Sequence, residues 1–334
     1  MRSMRRPFHG FVIKSFLFTI LITSFSPDTV QTGVDRLTRM DFAGFHVRFK
    51  DTVVSYPVMG VFVMPGEDVP IRAWDSSRTV FFKIEAEAGF VSEAGSNRWI
   101  WRAPDEPGLY PIRVNNPQKA ESIVLNVFVM VPLQQACNGC INGYPIGDYP
   151  DTPYRNLPEY RSPAGLVEVT KQNQDTWISP HFQLKQFLCK GCASYPQYIA
   201  LQEPLLFKLE GILHSLRQKG YGCQTLSILS GYRTPHYNRS IGNGKYSRHI
   251  YGAAADIFID VDPEDGRMDD LNMDGIVDVK DAKVLFDHID ELSDGPTFRA
   301  FVGGLGIYET TATHGPFVHV DVRGYRARWG AGSG

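Results

Sequence analysis

The chain has 334 residues, more than one domain usually contains, so we expect two domains. Hydrophobic residues make up 43% of the chain and charged residues 21%, as in globular proteins. The formal net charge of −2 gives no electrostatic basis for binding nucleic acid or an anionic membrane. We therefore expect a globular, multidomain protein that has no nucleic-acid partner.

Residues 1–32 have the layout of a secretory signal peptide. The stretch Met1–Arg6 is basic, and an apolar run follows over residues 11–22. This run is too short to cross a bilayer comfortably, and Lys14 interrupts it. We expect the signal to be cleaved, which predicts an exported protein of the periplasm or cell envelope that has no membrane span. An uncleaved membrane anchor is the alternative.

Short runs of alternating apolar and polar residues fill residues 40–132. Turn signals such as Pro65-Gly66 separate these runs, which is typical of a small all-β sandwich. Trp99 and Trp101, followed by the segment Pro107–Tyr110, resemble bacterial immunoglobulin-like modules. We expect both tryptophans in the core. We assign no chemistry to this domain, because no cluster of titratable residues stands out.

Residues 133–178 are rich in Pro, Gly, Asn and Tyr, and they lack periodicity. We expect an extended linker that packs along the next domain.

Two Cys-x-x-Cys pairs, the first of them in this linker, are formed by Cys137, Cys140, Cys189 and Cys192. Disulfides are the commoner outcome in an exported chain; a structural metal site and free thiols are the alternatives. Cys223 has no pair, so we expect it to be a buried thiol.

Residues 179–334 mix helical and strand patterns. Apolar residues recur at helical spacing over residues 205–216, and Gly220 is a suitable C-terminal cap. Strand-like runs follow at 225–230, 306–308 and 317–322. This order predicts an α+β domain whose mostly antiparallel sheet carries the functional site on one face.

A candidate metal site lies in this second domain. His249 and Asp256 are seven residues apart, across a turn into a strand-like run, so their side chains can converge on one ion. His319, in a later strand-like run, would complete a set of three ligands. Three protein ligands and an open water position are the usual form of a catalytic zinc site. For an isolated His and Asp, a loop histidine and a turn aspartate would be the simpler interpretation.

The surrounding residues resemble a known family. The motif Ser-x-His-x-x-Gly-x-Ala-x-Asp spans residues 247–256, and His-x-Asp follows at 319–321. Together with Ser-Gly-Tyr-Arg at 230–233 and Ser-Pro-His-Phe at 179–182, it resembles the zinc D-alanyl-D-alanine metallopeptidases. These share a fold with lysostaphin-type peptidases and the hedgehog signalling domain, so the resemblance implies that fold over residues 175–330.

The resemblance also implies an activity. It implies a Zn²⁺ cofactor and a peptidoglycan peptide as substrate, cleaved by a D-Ala-D-Ala carboxypeptidase or a murein endopeptidase. It assigns Arg233 to binding a substrate carboxylate or orienting its carbonyl, a task that suits a guanidinium. A structural salt bridge is the alternative role for Arg233.

The general base is less clearly marked in the sequence. Many family members have an acidic residue three positions before the last histidine, where this chain has Pro316. Asp321 follows His319 by two residues and so faces the same side of a strand, which makes it the first candidate. It could instead orient His319. His314 and Glu309 are the alternatives.

Residues 262–294 form an insertion that contains an acidic loop. Its oxygen-bearing residues have the spacing of a calcium loop, with Gly275 at the sixth position. The candidate calcium ligands are Asp270, Asn272, Asp274, Ile276 (through its carbonyl), Asp278 and Asp281. The loop resembles a single dockerin-type repeat, and a helix-like run follows it. We expect a structural Ca²⁺ ion; a solvated acidic loop is the alternative. Because a dockerin has two repeats, cohesin binding is not expected.

Taken together, these patterns predict a monomeric, exported zinc peptidase that acts on peptidoglycan. The immunoglobulin-like module would position it on the wall. Two other functions are compatible with the sequence. One is a non-catalytic wall-binding protein that retains the metal fold. The other is a calcium-stabilised surface adhesion or scaffold protein, which would bind no zinc.

Overall fold

The computed structural model describes residues 42–76, 80–295 and 298–330. The predicted signal peptide lies outside these residues. Within them, no helix combines the length and the apolar character that crossing a bilayer requires.

Nine strands build the N-terminal domain. They are β1 (His46–Phe49), β2 (Thr52–Val54), β3 (Val58–Val63), β4 (Asp68–Trp74), β5 (Lys83–Ala86), β6 (Phe90–Gly95), β7 (Arg98–Arg102), β8 (Gly108–Asn116) and β9 (Glu121–Val129). One sheet has the order β2-β1-β4-β7-β6, and the other has the order β3-β9-β8-β5.

The buried faces of these two sheets share one core. Along β4, Val69, Ile71 and Ala73 are buried and the residues between them face outward, as the period-two pattern predicts. Trp99 and Trp101 are both buried, as expected, and Trp101 Nε1 donates to Ala88 O at 2.9 Å. The all-β character of this domain is thereby confirmed, whereas its immunoglobulin likeness stays a prediction.

The segment predicted as a linker contains more regular structure than expected. Its strands and those beside it are β10 (Val131–Pro132), β11 (Cys140–Ile141), β12 (Tyr144–Pro145), β13 (Gly165–Val169), β14 (Trp177–Ser179), β15 (Phe182–Gln183) and β16 (Gln197–Ile199). Strands β10, β13 and β16 form a three-stranded sheet. Asn126 Nδ2, in the sandwich, donates to Trp177 O at 2.7 Å. The segment is therefore folded against both domains.

The C-terminal domain is α+β, as predicted. Its elements are α1 (Glu203–Gln218), β17 (Ser227–Ser230), α2 (Pro235–Ser240), β18 (Ala254–Phe258), α3 (Val279–Ser293), β19 (Gly304–Tyr308), β20 (Phe317–Asp321) and β21 (Ala327–Trp329). The sheet has the order β17-β18-β20-β19-β21, and every pair except β19–β21 is antiparallel.

The register of this sheet places one row of residues across three strands. Ser230 lies opposite Asp256, and Asp256 lies opposite His319. Directly opposed residues on antiparallel strands have Cβ atoms about 4.5–5.5 Å apart. Two residues 63 positions apart in the chain therefore become neighbours.

The insertion joins this domain through its helix. Helix α3 packs on β19 and β20, and Arg328 Nε of β21 pairs with Asp290 at 2.6 Å. Asp278 caps the start of the helix, where its side chain accepts from Lys280 N at 2.7 Å. Asp281 is completely buried and accepts from Leu271 N at 2.8 Å.

Gly252 ends the helical turn that carries His249. Its backbone has φ +65°, a left-handed conformation that favours glycine. A Cβ atom at this position would overlap the backbone carbonyl of Ala200. Gly252 O also accepts from Gln202 N at 3.0 Å, so the turn is fixed against the start of α1.

We predict that Gly252→Ala lowers the free energy of unfolding by about 2 kcal/mol or more, because the clash is with backbone that cannot rotate away. Urea denaturation measures the change. Gly244→Ala is the matched control, since a Cβ there meets no atom within 4 Å, and we expect a change below about 0.5 kcal/mol. Equal midpoints for the two variants would contradict the prediction.

Candidate metal centre

The structure brings the three predicted ligands together. His249 lies in the helical turn Arg248–Tyr251, Asp256 in β18 and His319 in β20. All three side chains are buried. Among the residues that the structure describes, this is the one group of three or more His, Cys, Asp or Glu side chains whose ligand atoms all lie within 4.8 Å of one another.

The three inner atoms form a nearly regular triangle. His249 Nε2 lies 3.2 Å from Asp256 Oδ1 and 3.1 Å from His319 Nδ1, and the third side, from His319 Nδ1 to Asp256 Oδ1, is 2.8 Å. Zinc bonds of about 2.0–2.1 Å in a tetrahedron separate neighbouring ligand atoms by roughly 3.3 Å. The triangle is therefore close to the size that a tetrahedral ion requires.

Hydrogen bonds on the outer side decide which atoms face inward. His249 Nδ1 donates to Gly231 O at 2.7 Å, and His319 Nε2 donates to Asp321 Oδ2 at 3.1 Å. The other nitrogen of each ring then presents a lone pair, as tautomers are assigned from their partners. Asp256 Oδ1 adds a third acceptor. Two ring nitrogens and one carboxylate oxygen that meet at 2.8–3.2 Å can share one cation, so the residues present fit a metal ion.

The protonation tendencies of the three groups differ. Burial opposes ionisation of Asp256, but His249 and His319 outweigh it and hold the pKa of Asp256 well below its usual range. Burial lowers the pKa of His249, and Asp256 offsets this only in part. Burial alone would also lower the pKa of His319, but hydrogen bonds to Asp256 and Asp321 outweigh it and raise the pKa. A metal ion must displace that proton to bind.

Asp321 is placed to orient His319 rather than to accept a proton from water. It is completely buried, and both of its oxygens are occupied. Oδ1 accepts from Gly304 N at 2.7 Å and from Arg323 N at 3.0 Å, while Oδ2 faces His319 and the Arg323 guanidinium. The geometry therefore favours the alternative role for Asp321 over that of general base.

Arg233 holds the ligand Asp256. Its Nη2 pairs with Asp256 Oδ2, and its Nε donates to Ser230 Oγ at 2.9 Å. These bonds turn Oδ1 of the carboxylate toward the two histidines. The structure thus places Arg233 in the salt bridge that the sequence left as its alternative role, although the side chain also lines the cleft described next.

A cleft of about 760 Å³ opens above the triangle. His249, Asp256 and His319 line it, and so does His314. Glu309 is exposed and does not line the cleft. Of the three candidate bases, His314 is therefore the one that lines the cleft together with the proposed metal ligands. Its Nδ1 donates to Gly315 O at 2.8 Å, which leaves Nε2 as an acceptor.

Sequence reasoning missed several residues of the cleft wall. Lys190 lines the cleft, and no acidic partner lies within ion-pair distance of it among the described residues. Trp329 lies beside His319, with ring centroids 5.2 Å apart. Tyr160 reaches the cleft from the segment predicted as a linker. The Cys-Lys-Gly-Cys motif was a weak sequence signal that Lys190 lies near a functional site. No sequence motif around Tyr160 or Trp329 indicates that they line the cleft.

Arg248 fixes the linker segment against the metal-binding turn. It is buried, and its Nη1 donates to Glu159 O at 2.5 Å. The guanidinium also lies 4.4 Å from the Tyr160 ring centroid and 4.9 Å from that of Tyr251, both within cation–π range. The residue next to the ligand His249 therefore holds one wall of the cleft in place.

The remaining predicted site residues lie away from the triangle. All five cysteines are free thiols in the structure, and no three cysteines converge among the described residues. The choice between disulfide and metal at Cys137, Cys140, Cys189 and Cys192 therefore stays a prediction. Cys223 is buried, as expected.

Residues 180–268 match the family model described as Peptidase M15, a family of zinc-dependent peptidases. The matched segment contains Arg233, His249 and Asp256, and it ends before the strand that carries His319. Neither a curated protein nor a solved structure matches the chain. The match supports a peptidase domain in the C-terminal half, and the structure supplies the third member of the His-Asp-His group that the match does not reach.

We predict that purified protein carries about one zinc ion per chain and that His249→Ala loses it, because two ligands cannot close the site. Metal analysis by mass spectrometry measures the stoichiometry. His214→Ala is the control, since His214 lies in α1 outside the triangle, and it should retain the metal. Full zinc occupancy in His249→Ala would contradict the ligand assignment.

Proposed function

We propose that this protein is an exported zinc metallopeptidase that hydrolyses peptide bonds of peptidoglycan, as a D-Ala-D-Ala carboxypeptidase or a murein endopeptidase. The observation that carries the proposal is the inward-facing triangle of His249, Asp256 and His319 at the floor of an open cleft. The family match over residues 180–268 supports it. The hedgehog-like fold, the immunoglobulin-like module and the export signal belong to the same proposal.

A zinc ion held by these three residues would polarise a substrate carbonyl and lower the pKa of a water molecule toward neutrality. The chain's own residues then have separate tasks. Arg233 holds Asp256 in its ligating orientation, and Asp321 holds His319. Mutation of such supporting partners commonly lowers metal affinity or activity by roughly 10- to 100-fold.

We assign the general base to His314. A base must reach the reacting water from within the cleft, and His314 lines the cleft with an acceptor nitrogen. It takes the proton from the attacking water and returns it to the leaving amine. This places a histidine in the task for which many relatives use the acidic residue that Pro316 replaces here.

Substrate binding uses the cationic side of the cleft. Arg323 is neutralised by Asp321, and Arg233 by Asp256. Lys190 keeps its charge for a ligand, although burial lowers its pKa against the opposing effect of Asp256. We therefore assign Lys190, together with the remaining donors of Arg233, to a carboxylate of the substrate peptide.

Hydrolysis separates this proposal from its alternatives. A non-catalytic wall-binding protein would bind isolated peptidoglycan and hold zinc without releasing peptides. A surface adhesion or scaffold protein would hold no zinc. Incubation of the zinc-loaded protein with purified peptidoglycan, followed by analysis of the released peptides, distinguishes the three.

We predict that His314→Gln lowers kcat by about 10²- to 10⁴-fold, the range in which a positioned base contributes, while the zinc content stays unchanged. Peptide release and metal analysis are measured on the same sample.

Glu309→Gln is the matched control for this experiment, since Glu309 is exposed outside the cleft, and it should retain wild-type activity. Undiminished hydrolysis by His314→Gln would move the base to another residue. Loss of zinc from that variant would show instead that His314 supports the metal.

We also propose a structural Ca²⁺ ion in the loop Asp270–Asp281. The loop keeps its oxygens turned toward its own backbone, as shown by Asp270 Oδ2, which accepts from Gly275 N at 2.7 Å. Lys280 Nζ lies 3.0 Å from Asp274 and 3.5 Å from Asp278, two of the proposed ligands. A calcium ion would have to displace this ammonium group before those carboxylates could bind it.

We predict that calcium raises the melting temperature and that a calcium-selective chelator reverses this without removing zinc. Ligand binding to the folded state alone stabilises it by about 2.7 kcal/mol at a hundredfold excess over Kd. Asp274→Ala should abolish the calcium response. A wild-type melting curve that calcium and chelator leave unchanged would show that the loop is simply solvated.

A further inference from the structure

The outer face of the five-stranded sheet in the N-terminal domain carries a row of three arginines. Arg48 on β1 lies directly opposite Arg72 on β4, and Arg72 lies directly opposite Arg98 on β7. All three side chains are exposed. Because neighbouring strands lie about 4.8 Å apart, the backbone positions of the three arginines lie within roughly 10 Å of one another.

The arginine row is unfavourable for the sheet itself. Like charges directly opposite each other on neighbouring strands are destabilising. Among the described residues, no acidic group pairs with Arg48, Arg72 or Arg98, whereas Arg102 on the same face pairs with Asp68 at 3.3 Å. The net charge of the chain is −2, so this local excess of positive charge is not a general property of the surface. An anionic ligand would relieve the repulsion.

An aromatic side chain stands next to the arginine row. The Trp74 ring lies on the same outer face, 5.6 Å from the guanidinium carbon of Arg72 and 5.9 Å from that of Arg48. The His46 ring lies beside it, with centroids 5.5 Å apart. The face therefore places donors for acidic groups around a half-buried indole, whose ring a sugar can contact when the two arginines turn toward the carboxylates of a ligand.

The arginine row lies outside the cleft of the metal centre. The other sheet of the sandwich faces the rest of the chain: a Cβ on Gly60 of β3 would lie 3.0 Å from Ile178, and Asn126 of β9 bonds to Trp177. The arginine row is on the five-stranded sheet, whose strand β2 borders a groove shared with the C-terminal domain at Val53. Arg48, Arg72 and Arg98 line neither that groove nor the cleft above the metal ligands.

We propose that this face binds an acidic polysaccharide, whose carboxylates pair with the arginine row and whose sugar ring stacks on Trp74. Guanidinium groups suit carboxylates because they donate two parallel hydrogen bonds. The choice of a polysaccharide over another polyanion rests on the proposed wall substrate, while the charges and the indole are independent of it. The bound polymer would hold the cleft near its substrate and raise the local concentration of cleavable bonds.

Binding of polygalacturonate, a carboxylated polysaccharide, to the full-length protein tests the proposal. Dextran provides sugar without charge, polyglutamate provides carboxylates without sugar, and a DNA oligonucleotide provides phosphates. We expect polygalacturonate to bind most tightly, with an affinity that falls as salt rises. The combined variant Arg48→Gln, Arg72→Gln, Arg98→Gln should weaken its binding by about tenfold or more, and Trp74→Ala by several-fold.

Arg102→Gln is the matched control, because it removes one arginine from the same face that already has an acidic partner, and it should bind like the wild type. The triple variant should fold at least as stably as the wild type, since it removes like-charge repulsion. Wild-type affinity in the triple variant, tighter binding of DNA, or equal binding of polyglutamate that is insensitive to Trp74→Ala would overturn the proposal. Peptide release is measured separately, so an absence of hydrolysis leaves the binding result intact.

Discussion

The C-terminal domain depends on three acceptor atoms that are turned toward one point. His249 Nε2, His319 Nδ1 and Asp256 Oδ1 lie 2.8–3.2 Å apart, and the hydrogen bond between His319 and Asp256 offsets part of the repulsion among them. Each ligand is held by an outer partner: the Gly231 carbonyl, the Arg233 guanidinium and the Asp321 carboxylate. In the proposed function a metal ion would bind all three atoms in place of the hydrogen bond between His319 and Asp256, so local folding and metal binding would be coupled.

The cleft above this centre is a product of the whole chain rather than of the matched segment alone. The matched residues 180–268 contain two of the proposed ligands, and the segment before residue 180 supplies Tyr160. The third proposed ligand lies in β20, and His314 lies in the loop before that strand. Arg248 connects these parts, because it neighbours a ligand and also holds Glu159 and Tyr160. A substitution in the segment between the domains would therefore change the shape of the cleft.

The sequence predicted those features of the fold and the site that depend on short-range residue patterns. Period-two runs indicated the sandwich strands, helical spacing indicated α1, and the motif around His249 indicated two of the proposed metal ligands. It did not predict that Gly304 and Arg323 occupy the oxygens of Asp321, because strand periodicity gives the side that a residue faces and not its partners. The place of Tyr160 in the cleft wall was not predicted, because its contact with Arg248 joins residues 88 positions apart. The arginine row was not predicted either, because the pairing of three strands brings Arg48, Arg72 and Arg98 side by side.

X-ray absorption at the zinc edge of the purified full-length protein tests the central claim most directly. The account predicts a shell of about four nitrogen and oxygen atoms at roughly 2.0–2.1 Å, with the outer scattering of two imidazole rings and no sulfur. A sulfur shell at about 2.3 Å would place the ion at the cysteine pairs instead. That result, or the absence of zinc, would contradict the assignment of His249, Asp256 and His319 as the metal centre.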